Sequence, residues 1–104
     1  MIVHWTENAL KHLVDIYGYI SENSKFYALR MVDRLTRKSE GIAAFPMAGR
    51  MVPEFQVHDI REVIERPYRI IYRIKPQKID VLAVVHGARQ LNPDTLQLDD
   101  EQAS

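Results

Sequence analysis

Cysteine is absent from the 104 residues, which excludes disulfide staples, thiolate zinc sites and cysteine nucleophiles together. Long apolar runs are missing too. The longest, "IDVLAVV", is far short of the ~20 residues a membrane span requires. The chain opens directly on a strand-like segment with no room for a signal peptide, so a cytoplasmic protein without a membrane partner is expected. His4, His12, His58 and His86 are scattered with neither an i,i+4 pair nor ligand spacing, so no metal and no other cofactor is expected. An excess of either charge is also lacking, with 14 Lys and Arg against 14 Asp and Glu. That balance hides an asymmetry: Asp94, Asp99, Asp100 and Glu101 lie beyond the last basic residue, Arg89, leaving the body 14 basic against 10 acidic residues. A polyanion partner is permitted by such an excess and not demanded by it.

What is present is an ordinary globular composition, 46% apolar and 27% charged, in a length that suits one core. "IVHWT" alternates as a short strand, and Thr6 is placed to cap a helix. Ala9, Leu10, Leu13, Val14, Ile16, Tyr17 and Ile20 recur at helical spacing to about Ser21. Ser24 then caps a second helix whose buried stripe is expected to hold Ala28, Leu29, Val32, Leu35, Ile42 and Ala43, with Arg30, Arg34, Arg37 and Lys38 on the other side. "FPMAGRMVPE" is a turn-rich connection. "VHDIREVIE", "YRIIYRIK" and "IDVLAVVHGA" follow as three β-rich runs separated by "RP" and "PQK", gaps that fit hairpins and are too short for parallel crossovers. The expected fold is α+β, in the order β-α-α-β-β-β, with two helices on one face of a mainly antiparallel sheet. Residues 1–92 are expected to form one domain and residues 93–104 an acidic, flexible tail.

Inside this pattern "YRIIYRI", residues 68–74, sets arginine into the most hydrophobic strand. At period two, Tyr68, Ile70, Tyr72 and Ile74 point toward the helices, and Arg69, Ile71 and Arg73 point the other way. With Arg61, His86 and Arg89 they are expected to share an open sheet face. That face is either a cluster of functional cations or the solvated side of a one-sided sheet.

The succession "WTENALKHLVDIYGYI", "FPMAGRMVPEF", "IREVIERPYRIIYRI" and "IDVLAVVHGARQL" resembles the RelE/ParE superfamily of bacterial type II toxin-antitoxin toxins, on the ParE side, over residues 3–91. The fold implied by the resemblance is the one read from the periodicities. A cognate antitoxin of ParD-like or other small type is the implied partner, its C-terminal segment lying in an apolar groove for which Trp5, Tyr19 and Phe26 are candidates; each also suits plain core.

ParE-like members inhibit DNA gyrase by protein contact and so block replication, whereas RelE-like members cleave messenger RNA without metal, usually on the ribosome. Such cleavage needs a base, an acid and cations for the phosphate. Arg61, Arg69, Arg73 and Arg89 are the candidate cations here, and His86 is the candidate base or acid. RNA-cleaving members usually carry a Tyr or His after the last strand. This chain has Gln90, Leu91 and Asn92 there, a departure that favours the gyrase reading. RNA cleavage and a non-toxic, antitoxin-binding member stay as alternatives.

Overall fold

The computed structural model describes residues 1–98. They run β1 (Ile2–Trp5), α1 (Glu7–Ser21), α2 (Lys25–Ile42), a 3₁₀ turn at Pro46–Ala48, β2 (Arg50–Met51), β3 (Ile60–Glu65), β4 (Tyr68–Ile74), β5 (Lys78–His86) and the short α3 (Pro93–Leu96). The strands form one sheet in the order β1-β5-β4-β3-β2. Only β1 pairs in parallel, against β5; the other pairs are antiparallel. The expected α+β fold is observed, with two-residue β2 added inside the turn-rich connection.

Both long helices begin where a hydroxyl replaces a missing backbone partner. Thr6 Oγ1 accepts from the Ala9 N–H at 3.2 Å, and Ser24 Oγ accepts from the Tyr27 N–H at 3.2 Å, the ordinary N-cap arrangement. Ala9, Ile16, Leu35 and Ile42 then meet Tyr68, Ile70, Tyr72, Ile79, Val81 and Val84 in one apolar cluster between the helices and the sheet.

The other face of the sheet is not open. Val52, Ile60, Ile71, Leu82, Ala83, Val85, Leu91 and Leu96 make a second cluster there, with Phe55 and Leu98 packed against it. The loop after β2 and the segment after β5 therefore cover the face that the sequence pattern left to solvent. A bulge makes this possible: between Ile71 and Tyr72 of β4, the partners on β5 step from Ala83 to Val81. The extra residue, Leu82, lets two successive side chains enter the second cluster. The segment expected as a flexible tail from position 93 opens on the short helix α3 (Pro93–Leu96). Asn92 caps α3, Leu96 is buried, and Asn8 Nδ2 donates to both Leu82 O and Thr95 O at 2.9 Å. Residues 99–104, the rest of that expected tail, lie outside the described residues.

α1 also seals β5 where β1 stops. Thr6 Oγ1 donates to Val81 O at 2.9 Å, and the Val84 N–H donates to His12 Nδ1 at 3.1 Å. That bond requires an unprotonated Nδ1. Burial lowers the His12 pKa, and Arg89 and Lys11 lower it further against the opposing effect of Asp15.

Candidate functional site

The cross-strand register decides which cations share a face, because residues directly opposite in neighbouring strands point the same way. Arg61 is opposite Tyr72 and His86 is opposite Tyr68, so both belong to the helix side. Arg69 is opposite Ile64 and Val85, and Arg73 is opposite Ile60 and Asp80, on the other side. The expected single cluster of Arg61, Arg69, Arg73, His86 and Arg89 is thus divided between two faces. Along β4 it is divided again, since Tyr68 and Arg73 are five residues apart, about 17 Å at strand rise.

Arg69 is 5% exposed, which corrects the reading of it as an open-face cation. Its Nε donates to Glu62 Oε1 at 2.7 Å, and its two terminal nitrogens reach the Glu54 carboxylate at 3.0 and 2.8 Å. A further bond goes to Arg89 O at 3.3 Å. Glu62 is itself shared, its second oxygen accepting from Arg50 Nε at 2.5 Å. Glu54 also accepts the Leu91 N–H at 3.2 Å. The hydrogen bonds from Arg69 hold the Glu54 carboxyl down at about 2, and Glu54 in turn raises the Arg69 pKa. A buried charge is tolerated only when paired and hydrogen-bonded, and this one is tied to β3, the loop after β2 and the segment after β5 at once.

The residues that carry the family resemblance fall on this network and its surroundings. Within "GRMVPE", Arg50 and Glu54 are its outer members. Gly49 is required by contact, because a Cβ there would overlap the Tyr72 hydroxyl and the Glu62 carbonyl oxygen. Tyr72 donates its hydroxyl to Pro46 O at 2.6 Å. In "HGARQL", the Gly87 N–H donates to Pro67 O at 2.7 Å, Arg89 supplies a carbonyl to Arg69, and Leu91 is buried.

The remaining candidates separate by exposure. Arg61 is half-buried and donates to His58 O, Met47 O and Gly49 O at 3.0, 3.4 and 2.9 Å. His86 is exposed, its ring 6.0 Å edge-on from Tyr68 and its Nδ1 accepting the Ala88 N–H at 3.2 Å. The Arg89 side chain is exposed. Of the antitoxin candidates, Trp5 is half-buried against the first cluster, with Nε1 donating to Ser39 Oγ at 3.1 Å. Tyr19 and Phe26 are 74% and 62% exposed.

Leu10, Val14, Tyr27 and Leu29 are exposed on the same two helices. Leu10 and Val14 lie on the apolar face of α1, and Leu29, expected in the buried stripe of α2, is instead 61% exposed. The apolar arc of the helix pair is wider than the sheet beneath it. A stripe broader than its core was the available sequence signal for an interaction surface. On the basic face of α2, Arg34 pairs with Glu65 at 2.6 Å and Arg37 with Asp33 at 2.9 Å, while Arg30 sits 5.6 Å over the Phe26 ring. No helix among the described residues is long and apolar enough to cross a membrane.

Residues 3–91 match the family model described as ParE toxin of type II toxin-antitoxin system, parDE. The toxin RelE2 of Caulobacter vibrioides is 33% identical over 88 residues, covering 84% of this chain and 96% of that one. The protein Y4kP of Sinorhizobium fredii is 31% identical over 90 residues, covering 85% and 90%. Among solved structures, a chain of the chromosomal ParDE system of P. aeruginosa superposes with a TM-score of 0.69 at 25% identity, covering 83% of this chain and 95% of that one. The α+β sheet, the paired helices and these matches define a toxin of the RelE/ParE superfamily. The chain belongs to the ParE toxin family of type II toxin-antitoxin systems.

Proposed function

We propose that the protein inhibits DNA gyrase in the cytoplasm and is neutralised by a cognate antitoxin laid along the exposed apolar ridges of α1 and α2. The observation that carries the gyrase reading is the dispersal of the groups RNA cleavage would need. His86 stands on the helix side, and the Arg69 charge is taken up by Glu54 and Glu62. Arg61 is committed to backbone carbonyls. A poison that works by protein contact needs no such constellation. Tyr19 and Phe26 stay in the proposed antitoxin surface, joined by Leu10, Val14 and Leu29, while Trp5 serves packing.

The test is induction of the chain alone, followed by assay of purified gyrase on relaxed plasmid with the purified protein. Loss of supercoiling with accumulation of cleaved DNA supports the reading; intact supercoiling with early loss of messenger RNA overturns it. The similarity to a relative named as toxin RelE2 favours a second reading, RNA cleavage with His86 as acid or base. Under it His86→Gln abolishes toxicity, because glutamine exchanges no proton near neutral pH. Unimpaired growth on induction would point instead to a non-toxic, antitoxin-binding member.

A further inference from the structure

β1 pairs with β5 only as far as Val81, while β5 runs on to His86. Beyond Val81 the outer edge of β5 has no strand partner among the described residues and is closed instead by side chains of α1 and its cap. Thr6 Oγ1 donates to Val81 O at 2.9 Å, Asn8 Nδ2 donates to Leu82 O at 2.9 Å, and His12 Nδ1 accepts from the Val84 N–H at 3.1 Å. The first two closures use a hydroxyl and an amide, neither of which titrates. The third depends on a ring nitrogen without a proton.

Once protonated, an imidazole is a donor at both nitrogens, so donor then faces donor. Val84 is 3% exposed, and a buried N–H left unpaired is costly. The charges that reach the ring stand on two elements: Lys11 and Asp15 on α1 itself, and Arg89 in the segment after β5. β5 adds none from Val81 to Val85, and His86, on the same side of that strand, has its ring edge-on to Tyr68. Burial, Arg89 and Lys11 all oppose the imidazolium, and Asp15 alone favours it. Leu10 and Val14, 47% and 69% exposed, bracket His12 along the helix.

We infer that His12 is a proton-operated latch: acidification frees the middle of α1 from the β5 edge while Thr6 and Asn8 hold its start, and the shifted Leu10–Val14 ridge loosens its grip on a partner laid along both helices. The opening is confined to α1 and the β5 edge, unlike a loss of global stability. Its consequence for the partner rests on the antitoxin reading given above.

The latch is tested on the free full chain by residue-resolved amide exchange at pH 7.5 and pH 5.5, corrected for intrinsic rates and repeated in low denaturant. Val84 and the amides of residues 13–17 should exchange through a small opening with little denaturant dependence, whereas Ile70 and Ile71 of β4 should follow global unfolding. Acidification should lower protection at Val84 and residues 13–17 several-fold. The ceiling is about tenfold, because an opened imidazole with the ordinary pKa of 6.5 is about tenfold more protonated than neutral one pH unit lower. His12→Gln should abolish this response and His86→Gln should keep it. Should His12→Gln not fold, the pH midpoint of Val84 protection must match that of the His12 ring protons in NMR. Loss of protection at Val84 alone, which means that the ring merely swings out, a denaturant slope equal to that of Ile70, or a response that survives in His12→Gln would each overturn the latch. Affinity for the cognate antitoxin should fall several-fold more between the two pH values for the native chain than for His12→Gln. If Val14→Asp binds as the native chain does, the antitoxin reading fails and the latch stands or falls on exchange; if Val14→Asp is weakened and the two pH responses are equal, the coupling to the partner is overturned.

Discussion

Glu54 and Arg69, fifteen residues apart, meet as a two-pronged ion pair at 3.0 and 2.8 Å, and the same carboxylate takes the Leu91 N–H. The loop after β2, strand β4 and the segment after β5 are joined there. A carboxyl depressed in the folded state gives stability that is present above its unfolded pKa and lost as pH falls through its folded one. For Glu54 that window runs from 4.5 down to about 2. Acid unfolding followed by circular dichroism should steepen in this range, and Glu54→Gln should flatten it, from a lower starting stability.

His12 defines a separate window. Its folded pKa lies below 6.5, so the unfolded chain binds the proton first and stability declines as pH falls from 6.5 through the folded value. In Glu54 the loss begins only below 4.5, so the decline starting at 6.5 belongs to His12. Protonation there removes the acceptor for the Val84 N–H. Denaturant midpoints at pH 7 and pH 5.5 should differ for the native chain and differ less for His12→Gln, whose amide oxygen can still accept.

Gly49→Ala should destabilise the fold by about 1–3 kcal/mol, the usual cost of forcing an extra carbon into a packed site. The added methyl meets the Tyr72 hydroxyl and the Glu62 backbone. Tyr72→Phe, which removes only the hydroxyl, should recover part of that loss when combined with it. Thermal melts of the two single variants and the double variant measure this directly.

The exposed ridges should behave differently from the core. Val14→Asp and Phe26→Ala alter side chains that are 69% and 62% exposed, so each should change stability by no more than about 0.5 kcal/mol. Neutralisation by the cognate antitoxin should nevertheless weaken sharply. Growth of cells expressing both chains is the measurement, and full neutralisation of both variants would move the antitoxin surface elsewhere.

Much of the fold was legible because its signals are local. The caps at Thr6 and Ser24 and the helical period gave the helix pair, and two short proline-containing gaps gave the antiparallel strands. The second cluster was hidden because the residues that complete it, Val52, Leu91 and Leu96, lie in turn-rich or polar segments without period. Its cover also depends on a bulge that leaves no mark in the continuous apolar run "IDVLAVV". The site was misread for the same reason. Alternation correctly put Arg69 opposite the helix side, but whether that side met water depended on Glu54 and Leu91, both distant in sequence. Arg61 was assigned to the wrong face because strand register, set by the "RP" turn, was not readable from composition. Leu10, Val14 and Leu29 were visible as apolar, yet period alone does not say how much of an arc the sheet covers.

Arg69, the most conspicuous cation of the sequence, serves the fold, and this is tested most directly by equilibrium denaturation of Arg69→Gln, with Glu54→Gln and the double variant completing a cycle. Removing one partner of a buried pair costs about 3–5 kcal/mol, so Arg69→Gln should lose stability on that scale. Glu54→Gln should show a coupling of at least about 0.5 kcal/mol with it. A change in Arg69→Gln within about 0.5 kcal/mol, accompanied by loss of toxicity in a protein that remains folded, would contradict the account and return Arg69 to the functional surface.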